Sequence, residues 1–279
     1  MATKNAANIF ISIQSLSALY PSAAHQSGEM LPFVTIDDFE ASSEGTRDIS
    51  EVSLIAFTPL LKAESDLVTW NAYSANHSDW IARGREFQRD SMFESIHAAV
   101  DKEANHVRPW SDEITNAAEV QQNADNQDTR QEHNDKKELL EDISAYVYRI
   151  DSAGKPVPED GSGHFAPIWQ MSPVPPNPSM VNFNLASNKD FEKLLDFASI
   201  TGEPILSGPV HAEDFFGPTV SGNGRPVSIL LQPVFDDFEH AQDRAIVGTL
   251  VAMLHWEEFF NGVRGISVCR TRKIDSEAA

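Results

Sequence analysis

Cysteine is nearly missing from this chain of 279 residues, which has only Cys269. A single thiol cannot close an intrachain disulfide, and it cannot build a zinc site made of cysteines. Such a composition fits a reducing compartment, but it is equally compatible with a secreted domain that lacks bridges. A lone cysteine near the C-terminus is typically a small buried apolar residue, so we assign Cys269 no chemistry.

Positive charge is also scarce, because 21 Lys and Arg residues stand against 42 Asp and Glu residues. The resulting formal charge of -21 would repel phosphate backbones and the anionic leaflet of a membrane. We therefore expect no nucleic-acid partner. The acidic surface is either simply solvated or holds a cationic partner.

Long apolar runs are absent, since no stretch of about 18 apolar residues occurs, so no transmembrane helix is expected. The first twenty residues make a poor signal peptide, because Ser12, Gln14, Ser15 and Ser17 interrupt their short apolar run. On this interpretation the chain, as given, is soluble and carries no targeting signal.

The common catalytic motifs are missing too: GxGxxG, GxxxxGK[ST], HExxH and GxSxG. Two polar stretches, 211–214 (HAED) and 236–243 (DDFEHAQD), combine carboxylates with imidazole and could in principle hold a divalent ion. Ser207 could be paired with His211 or His240 for hydrolysis. Neither spacing matches a known loop, and both stretches favour solvated turns, so we predict no metal, no cofactor and no catalytic residue.

Helical periodicity dominates the first third of the chain. Apolar residues recur at steps of three and four over 6–20, which predicts an amphipathic helix ended by Pro21. A strand is predicted over 51–58. A long helix follows over about 62–89, with an aromatic stripe typical of a core face. The polar segment from 93 to about 142 is too poor in apolar residues to fold by itself, which indicates a mobile insertion or a weakly helical arm.

Short β-rich segments dominate the rest of the chain, and one helix interrupts them. Ser187 with Asp190 resembles a capping box that opens this helix, and Gly202 closes it. Pro233 excludes an ordinary central position near the end of its strand. The predicted strands are 143–150, 164–170, 203–210, 227–235 and 245–256. This order of elements predicts an α+β fold with a largely antiparallel sheet.

Six stretches together are similar to one receptor family. They are LPFVTIDDFEAS (31–42), WNAYSANHSDWI (70–81), FAPIWQMSPVPP (165–176), NFNLASNKDFEKLL (182–195), PVSILLQPVFD (226–236) and IVGTLVAMLHWEEFF (246–260). They resemble the extracellular sensor region of receptor-type adenylate/guanylate cyclases of microalgae. That region is similar in turn to CHASE domains, which are extracellular small-molecule sensors. Relatives flank this region with transmembrane helices and carry a cytoplasmic cyclase domain, and neither is recognisable in this sequence.

The resemblance implies a fold and a division of the chain. The fold would be α+β, with a PAS-like, mostly antiparallel sheet and long N-terminal helices. The chain would divide into an N-terminal helix over 1–30, a CHASE-like sensor domain over 31–265 and a C-terminal tail over 266–279. The polar insertion at about 101–141 would interrupt the sensor domain.

The resemblance also implies ligand contacts. Hormone-binding members use a polar residue before the compact helix and a hydroxyl on the next strand, which correspond to Asn184 and Ser207 here. Those members usually have Asp and Thr at these positions, and Asn184 has a second reading as a residue that turns the chain ahead of the helix. Trp169 and Leu231 complete the predicted ligand contacts. Asn76 begins a glycosylation sequon that matters only if the chain is secreted.

Three functions remain open at this point. The first is a non-catalytic sensor on the extracellular side of a receptor, which binds an unknown small molecule and shifts its sheet against a long helix. The second is an acidic interaction protein without ligand, which forms a homodimer through its N-terminal helices or uses the acidic insertion to hold a cationic partner. The third is a small metal-dependent hydrolase that uses His211, Asp214 and His240. The sequence does not decide between adenylate and guanylate cyclase as the output.

Overall fold

A computed structural model describes residues 2–104, 145–160, 163–175, 178–216, 225–237 and 244–256. The helices are α1 (Ala2–Ser17), α2 (Leu19–Ser27), α3 (Phe39–Ser50), α4 (Glu64–Asn76), α5 (Asp79–Ala104), α6 (Lys189–Thr201) and α7 (Ala212–Phe216). The strands are β1 (Val52–Pro59), β2 (Tyr148–Ile150), β3 (Pro156–Pro158), β4 (Met171–Ser172), β5 (Ile205–Leu206), β6 (Val210–His211), β7 (Pro226–Phe235) and β8 (Ile246–His255). Most of the segment 101–141, predicted as an insertion, lies outside the described residues.

The main sheet is antiparallel, in the order β4-β1-β8-β7-β5, and β6 also pairs with β7. β7 and β8 are ten residues long and buried along almost their whole length. Helices cover the sheet, and the strands come from both sides of the polar segment. The prediction of an α+β fold with a mostly antiparallel sheet and N-terminal helices is confirmed.

The ladder of backbone hydrogen bonds continues beyond β1. Residues 165–170, predicted as part of a strand, run along β1: Trp169 N donates to Phe57 O and Phe57 N donates to Gln170 O, both at 2.8 Å. Outside them, Ile168 N donates to Phe183 O at 2.9 Å. Tyr148 pairs with Phe183 in parallel, so the hairpin of β2 and β3 extends the same edge.

The prediction that Pro21 ends the N-terminal helix is wrong. Pro21 lies inside α2. It is the third residue of that helix, where a backbone N–H would have no partner within the helix, so the missing donor costs little. Gln14 and Ala18 join the two helices through Ala18 N, which donates to Gln14 O at 3.3 Å. The apolar face of α1 is buried in the same core as the sheet.

The predicted long helix over 62–89 is two helices, α4 and α5, and α5 extends to Ala104. The break falls at His77 and Ser78. His77 leaves the helical conformation with φ of -124°, and its ring stacks on Tyr73 at 4.0 Å between centroids. The break lets Trp80 of α5 enter the core as well as Trp70 of α4.

The boundaries of α6 differ slightly from the predicted ones. Asn188, and not Ser187, caps its start, since the Asn188 side chain accepts from Asp190 N at 2.8 Å and Phe191 N at 3.2 Å. Gly202 ends it in the left-handed conformation, as predicted, with φ of 67°. The prediction for Pro233 also holds, because β5 pairs only with Leu230 and Leu231 and ends before Pro233.

Gly84 marks a close contact between α5 and the chain that follows β4. A Cβ added at Gly84 would clash with Val174 Cγ2, whereas one added at Gly45 of α3 would meet nothing within 4 Å. We expect Gly84→Ala to destabilise the fold by about 1–3 kcal/mol through overpacking, less the helix propensity it gains. Gly45→Ala should stabilise it by about 0.5–1 kcal/mol. Urea unfolding of both variants tests the contact, and equal stabilisation by both would contradict it.

Candidate ligand-binding site

A pocket of about 300 Å³ lies where the N-terminal helices, the end of α6 and the end of β7 meet. The junction of α1 and α2 forms one wall, and the turn after α6 forms another. The floor comes from the last part of β7, from Asp237 just after it and from Arg244, two residues before β8. The lining residues are Gln14, Ser17, Ala18, Pro21, Gly202, Glu203, Pro204, Gln232, Phe235, Asp237 and Arg244.

Local sequence explains how these walls come together. α1 turns its apolar residues Ile9, Ile13 and Leu16 into the core, so Gln14 and Ser17 lie to the side of that face. Gly202 adopts φ of 67°, which reverses the chain after α6 and leads it back towards β5. The ring of Phe235 lies beside this turn, 3.8 Å from the position that a Cβ of Gly202 would take.

Two residues that line the pocket each have a buried polar atom with no hydrogen-bond partner among the residues that the structure describes. These atoms are Arg244 Nε, a donor, and Gln232 Oε1, an acceptor. Gln232 is only 4% exposed, and its amide nitrogen donates to Pro233 O at 3.3 Å. An unpaired buried polar atom costs about 1–3 kcal/mol, so these two atoms mark a place where a bound molecule would be stabilised.

The pocket carries charges of both signs. The guanidinium carbon of Arg244 lies 4.3 Å from the centroid of the Phe235 ring, which is a cation–π geometry. Glu203 and Asp237 also line the pocket and are exposed. A pocket with one cation on an aromatic face, carboxylates at its rim and an amide inside can orient a small polar molecule.

Asn184, predicted to contact a ligand, is buried and hydrogen-bonded within the chain. Its Oδ1 accepts from Ala166 N at 2.9 Å and from Ala186 N at 3.1 Å, and its Nδ2 donates to Glu159 Oε1 at 2.7 Å. It caps the short turn Leu185–Ser187. The structure thus shows Asn184 turning the chain ahead of α6, which was the alternative interpretation of this residue. Its contact with a ligand stays a prediction.

Ser207 lies on the opposite flank of the sheet from Asn184. Its Oγ accepts from Ile229 N at 2.9 Å and donates to Gly208 O at 2.7 Å. Residues 165–170, β1, β8 and β7 separate the two positions, which amounts to five strand spacings, or roughly 24 Å. The structure therefore does not bring Asn184 and Ser207 together, and a ligand contact by Ser207 also stays a prediction.

Trp169 and Leu231 are both fully buried and do not line the pocket. Trp169 donates its indole N–H to Thr35 Oγ1 at 2.9 Å and meets Trp70 edge to face at 5.3 Å. Leu231 precedes the pocket residue Gln232, so its side chain points to the other face of β7. Their predicted roles as ligand contacts remain untested.

The other predicted positions lie apart from the pocket. Asn76, the predicted glycosylation site, is exposed at the end of α4, and its Nδ2 donates to Ala72 O at 2.8 Å. His211 is exposed on β6. His240 and Cys269 lie outside the described residues, as does most of the stretch 236–243. Within the described ranges, no group of three or more His, Cys, Asp or Glu residues could hold a metal ion.

Sequence reasoning did not identify Arg244 and Gln232 as site residues. Both carried a signal that could have been used. Arg244 is the only Lys or Arg in the acidic connector 236–244, and Gln232 is the only amide in the apolar run 227–235. Neither signal predicts a pocket by itself, because the walls come from segments far apart in the chain.

A predicted homodimer through the N-terminal helices also remains untested. In the structure the apolar face of α1, with Ile9 and Ile13, packs into the core of its own chain. Ile11 is 60% exposed on the other side of the helix. No described helix is both long enough and apolar enough to cross a membrane.

Comparison with known proteins identifies one family. Residues 110–275 match the family model described as CHASE domain, which is more than half of the 279 residues. The matched range contains β2 to β8, α6 and α7, together with the pocket residues from Gly202 to Arg244. CHASE domains form a family of extracellular sensor domains without catalytic activity. No curated protein matches the chain significantly.

Proposed function

The chain belongs to the CHASE domain family, and we propose that it is a non-catalytic sensor that binds a small molecule in the pocket between its N-terminal helices and its sheet. One observation carries the proposal. The pocket has walls from helices and from the sheet, and its lining residues Arg244 and Gln232 each have a buried polar atom without a partner among the described residues, Nε and Oε1. A ligand that pairs with both atoms would favour one arrangement of helices against sheet.

The proposed signal is a shift of α1 and α2 relative to β7. The junction of these helices contributes Ala18 and Pro21 to the pocket, and β7 contributes Gln232 and Phe235. A ligand shifts an equilibrium only by its difference in affinity for the two arrangements, and couplings of about 1–3 kcal/mol are usual. The Asn184 and Ser207 regions would respond indirectly in this mechanism, since α6 connects them across the sheet.

The proposed setting is the extracellular side of a membrane receptor. The six stretches described above resemble the sensor regions of receptor-type nucleotide cyclases, which supports an output through a cyclase domain in such a receptor. The sensor would pass the position of its helices to the next domain. Its acidic surface, with a formal charge of -21, suits a solvated domain outside the cell.

A thermal-shift screen of the whole chain tests ligand binding. The library should include neutral, cationic, anionic and zwitterionic molecules of up to about 300 Å³. A true ligand at a hundredfold excess over its Kd should add about 2.7 kcal/mol of stability, which raises Tm by roughly 5–10 °C for a domain of this size. If no member of the library stabilises the chain, the sensor proposal fails.

A distance measurement tests the proposed shift separately. Spin labels at Ile11→Cys on α1 and Leu206→Cys on β5 occupy exposed positions on helix and sheet, and Cys269→Ser removes the native thiol. Double electron–electron resonance should give a different mean distance with and without the ligand. A ligand that raises Tm without changing this distance would contradict the movement of the helices.

A further inference from the structure

The polar groups of the pocket indicate the class of its ligand. We infer that the pocket takes an amino-acid-sized zwitterion, a small molecule with a carboxylate and a protonated amine; this inference rests on the proposed sensor function and makes it more specific.

The carboxylate would bind Arg244. Its guanidinium carbon lies 4.3 Å from the centroid of the Phe235 ring, and its buried Nε has no partner among the described residues. A planar guanidinium offers two parallel N–H donors that match the two oxygens of a carboxylate. A neutral ligand does not offer this paired, charged acceptor. Among the described residues that line the pocket, Arg244 is also the only basic one.

The amine would bind on the acidic side of the pocket. Gln232 Oε1 is a buried acceptor without a donor in the described part of the chain, so a ligand must bring a hydrogen-bond donor. The carboxylates of Glu203 and Asp237 at the rim favour a donor with positive charge. A ligand with only a carboxylate would leave Gln232 unpaired and would face these two acidic residues.

Net charge and volume favour the same class. A purely anionic ligand would be repelled at long range by a chain with a formal charge of -21, whereas a zwitterion has no net charge to be repelled. The volume of about 300 Å³ is at the small end for ligand pockets. Pro21, Pro204 and the ring of Phe235 supply apolar surface for the side chain of such a ligand.

The test begins with the wild-type chain and the twenty standard L-amino acids in a thermal-shift assay. For the best stabiliser, titration calorimetry compares the amino acid with its deaminated acid and its decarboxylated amine. We expect each loss to weaken binding at least tenfold. If the acid or the amine binds as tightly as the amino acid, the zwitterion inference is overturned.

Two variants assign the ligand groups to residues. Arg244→Gln should weaken the amino acid and the acid at least tenfold and leave the amine unchanged. Gln232→Met should weaken the amino acid and the amine and leave the acid unchanged. Arg225→Gln is the matched control, because it removes the same charge at the opposite end of the β7–β8 pair and should leave all three affinities unchanged. Circular dichroism checks that each variant is folded, and if one is not, the three ligands on the wild-type chain decide the question.

The outcomes separate this inference from the sensor proposal. If a neutral or purely cationic molecule of the wider library stabilises the wild type and Arg244→Gln equally, the inference is overturned and the sensor proposal stands. If nothing in that library stabilises the chain, both fail. An amino acid whose binding is lost in Arg244→Gln and kept in Arg225→Gln supports both.

Discussion

Replacing Trp70 with alanine should lower the free energy of unfolding by about 4 kcal/mol, because it empties a large, fully buried site. Trp70 is fully buried, and its ring lies 5.3 Å from Trp169 and 5.4 Å from Tyr73 between centroids. Its indole N–H donates to Asn182 Oδ1 at 3.0 Å. Alanine would leave a cavity among these rings and would remove the donor.

Urea unfolding followed by far-UV circular dichroism measures this loss. Trp70→Phe keeps most of the ring and removes the donor, so it should cost about 1–3 kcal/mol. Val68→Ala is the control on the same helix, because Val68 is 67% exposed and its loss should stay within about 0.5 kcal/mol. A Trp70→Ala variant as stable as Val68→Ala would mean that the aromatic cluster is not packed as described.

Replacing Arg47 with methionine should destabilise the fold by about 3 kcal/mol at pH 8 and by much less at pH 4. Arg47 lies 3.2 Å from Oε1 of the buried Glu40 and donates through Nε to Ser172 Oγ at 2.8 Å. Gln88 of α5 also donates to Glu40 Oε1 at 3.2 Å. Arg47→Met would therefore leave a buried carboxylate without its counter-charge.

The pH dependence follows from the pKa of Glu40. Burial raises this pKa above the ordinary value of 4.5, while Gln88 and Arg47 lower it. The folded chain thus holds a proton on Glu40 at pH values where the unfolded chain has lost it, so stability falls as the pH rises from about 4.5 through the folded pKa. Without Arg47 the folded pKa rises further, and the loss extends to higher pH.

Two variants control for this interpretation. Arg83→Met removes a pair with Asp37 of 2.7 Å that is largely exposed, and it should cost at most about 1 kcal/mol at either pH. Adding Glu40→Gln to Arg47→Met removes the charge that was left unpaired, so most of the stability at pH 8 should return. A loss of equal size at pH 4 and pH 8 in Arg47→Met would show that packing, and not charge, is responsible.

Local sequence signals predicted the elements that carry their own periodicity or caps. The strands β1, β7 and β8 are continuous apolar runs, and α6 combines an apolar face with Gly202 at its end. These features act within a few residues, so they are visible in one sequence. The α+β class followed from their order, and the CHASE family followed from the resemblance of longer stretches.

Elements that depend on distant partners were not predicted correctly. No apolar periodicity marks α3 in the sequence, because its buried positions include Glu40, Ser43 and Ser50. Burial of Glu40 depends on contacts that one sequence does not show. Glu40 pairs with Arg47 of the same helix and accepts from Gln88 of α5, and Arg47 in turn donates to Ser172 Oγ. The split between α4 and α5 likewise depends on packing of both Trp70 and Trp80 against Trp169.

The pocket could not be predicted from the sequence, because it also depends on residues that are distant in the chain. Its walls come from residues as far apart as Gln14 and Arg244, and no spacing rule connects them. The resemblance pointed to Asn184 and Ser207, which lie on opposite flanks of the sheet.

The position of β1 has a consequence for how the chain is synthesised. β1 lies between β4 and β8, yet Thr58 and its partner Thr249 are 191 residues apart in the chain. At about 5–20 residues per second, a ribosome needs roughly 10–40 s to supply that partner. Until then, the edge of β1 that pairs with β8 is unpaired, and it can pair with strands of other nascent chains. The sheet is completed only when its last strand emerges, so folding and aggregation compete during every round of translation.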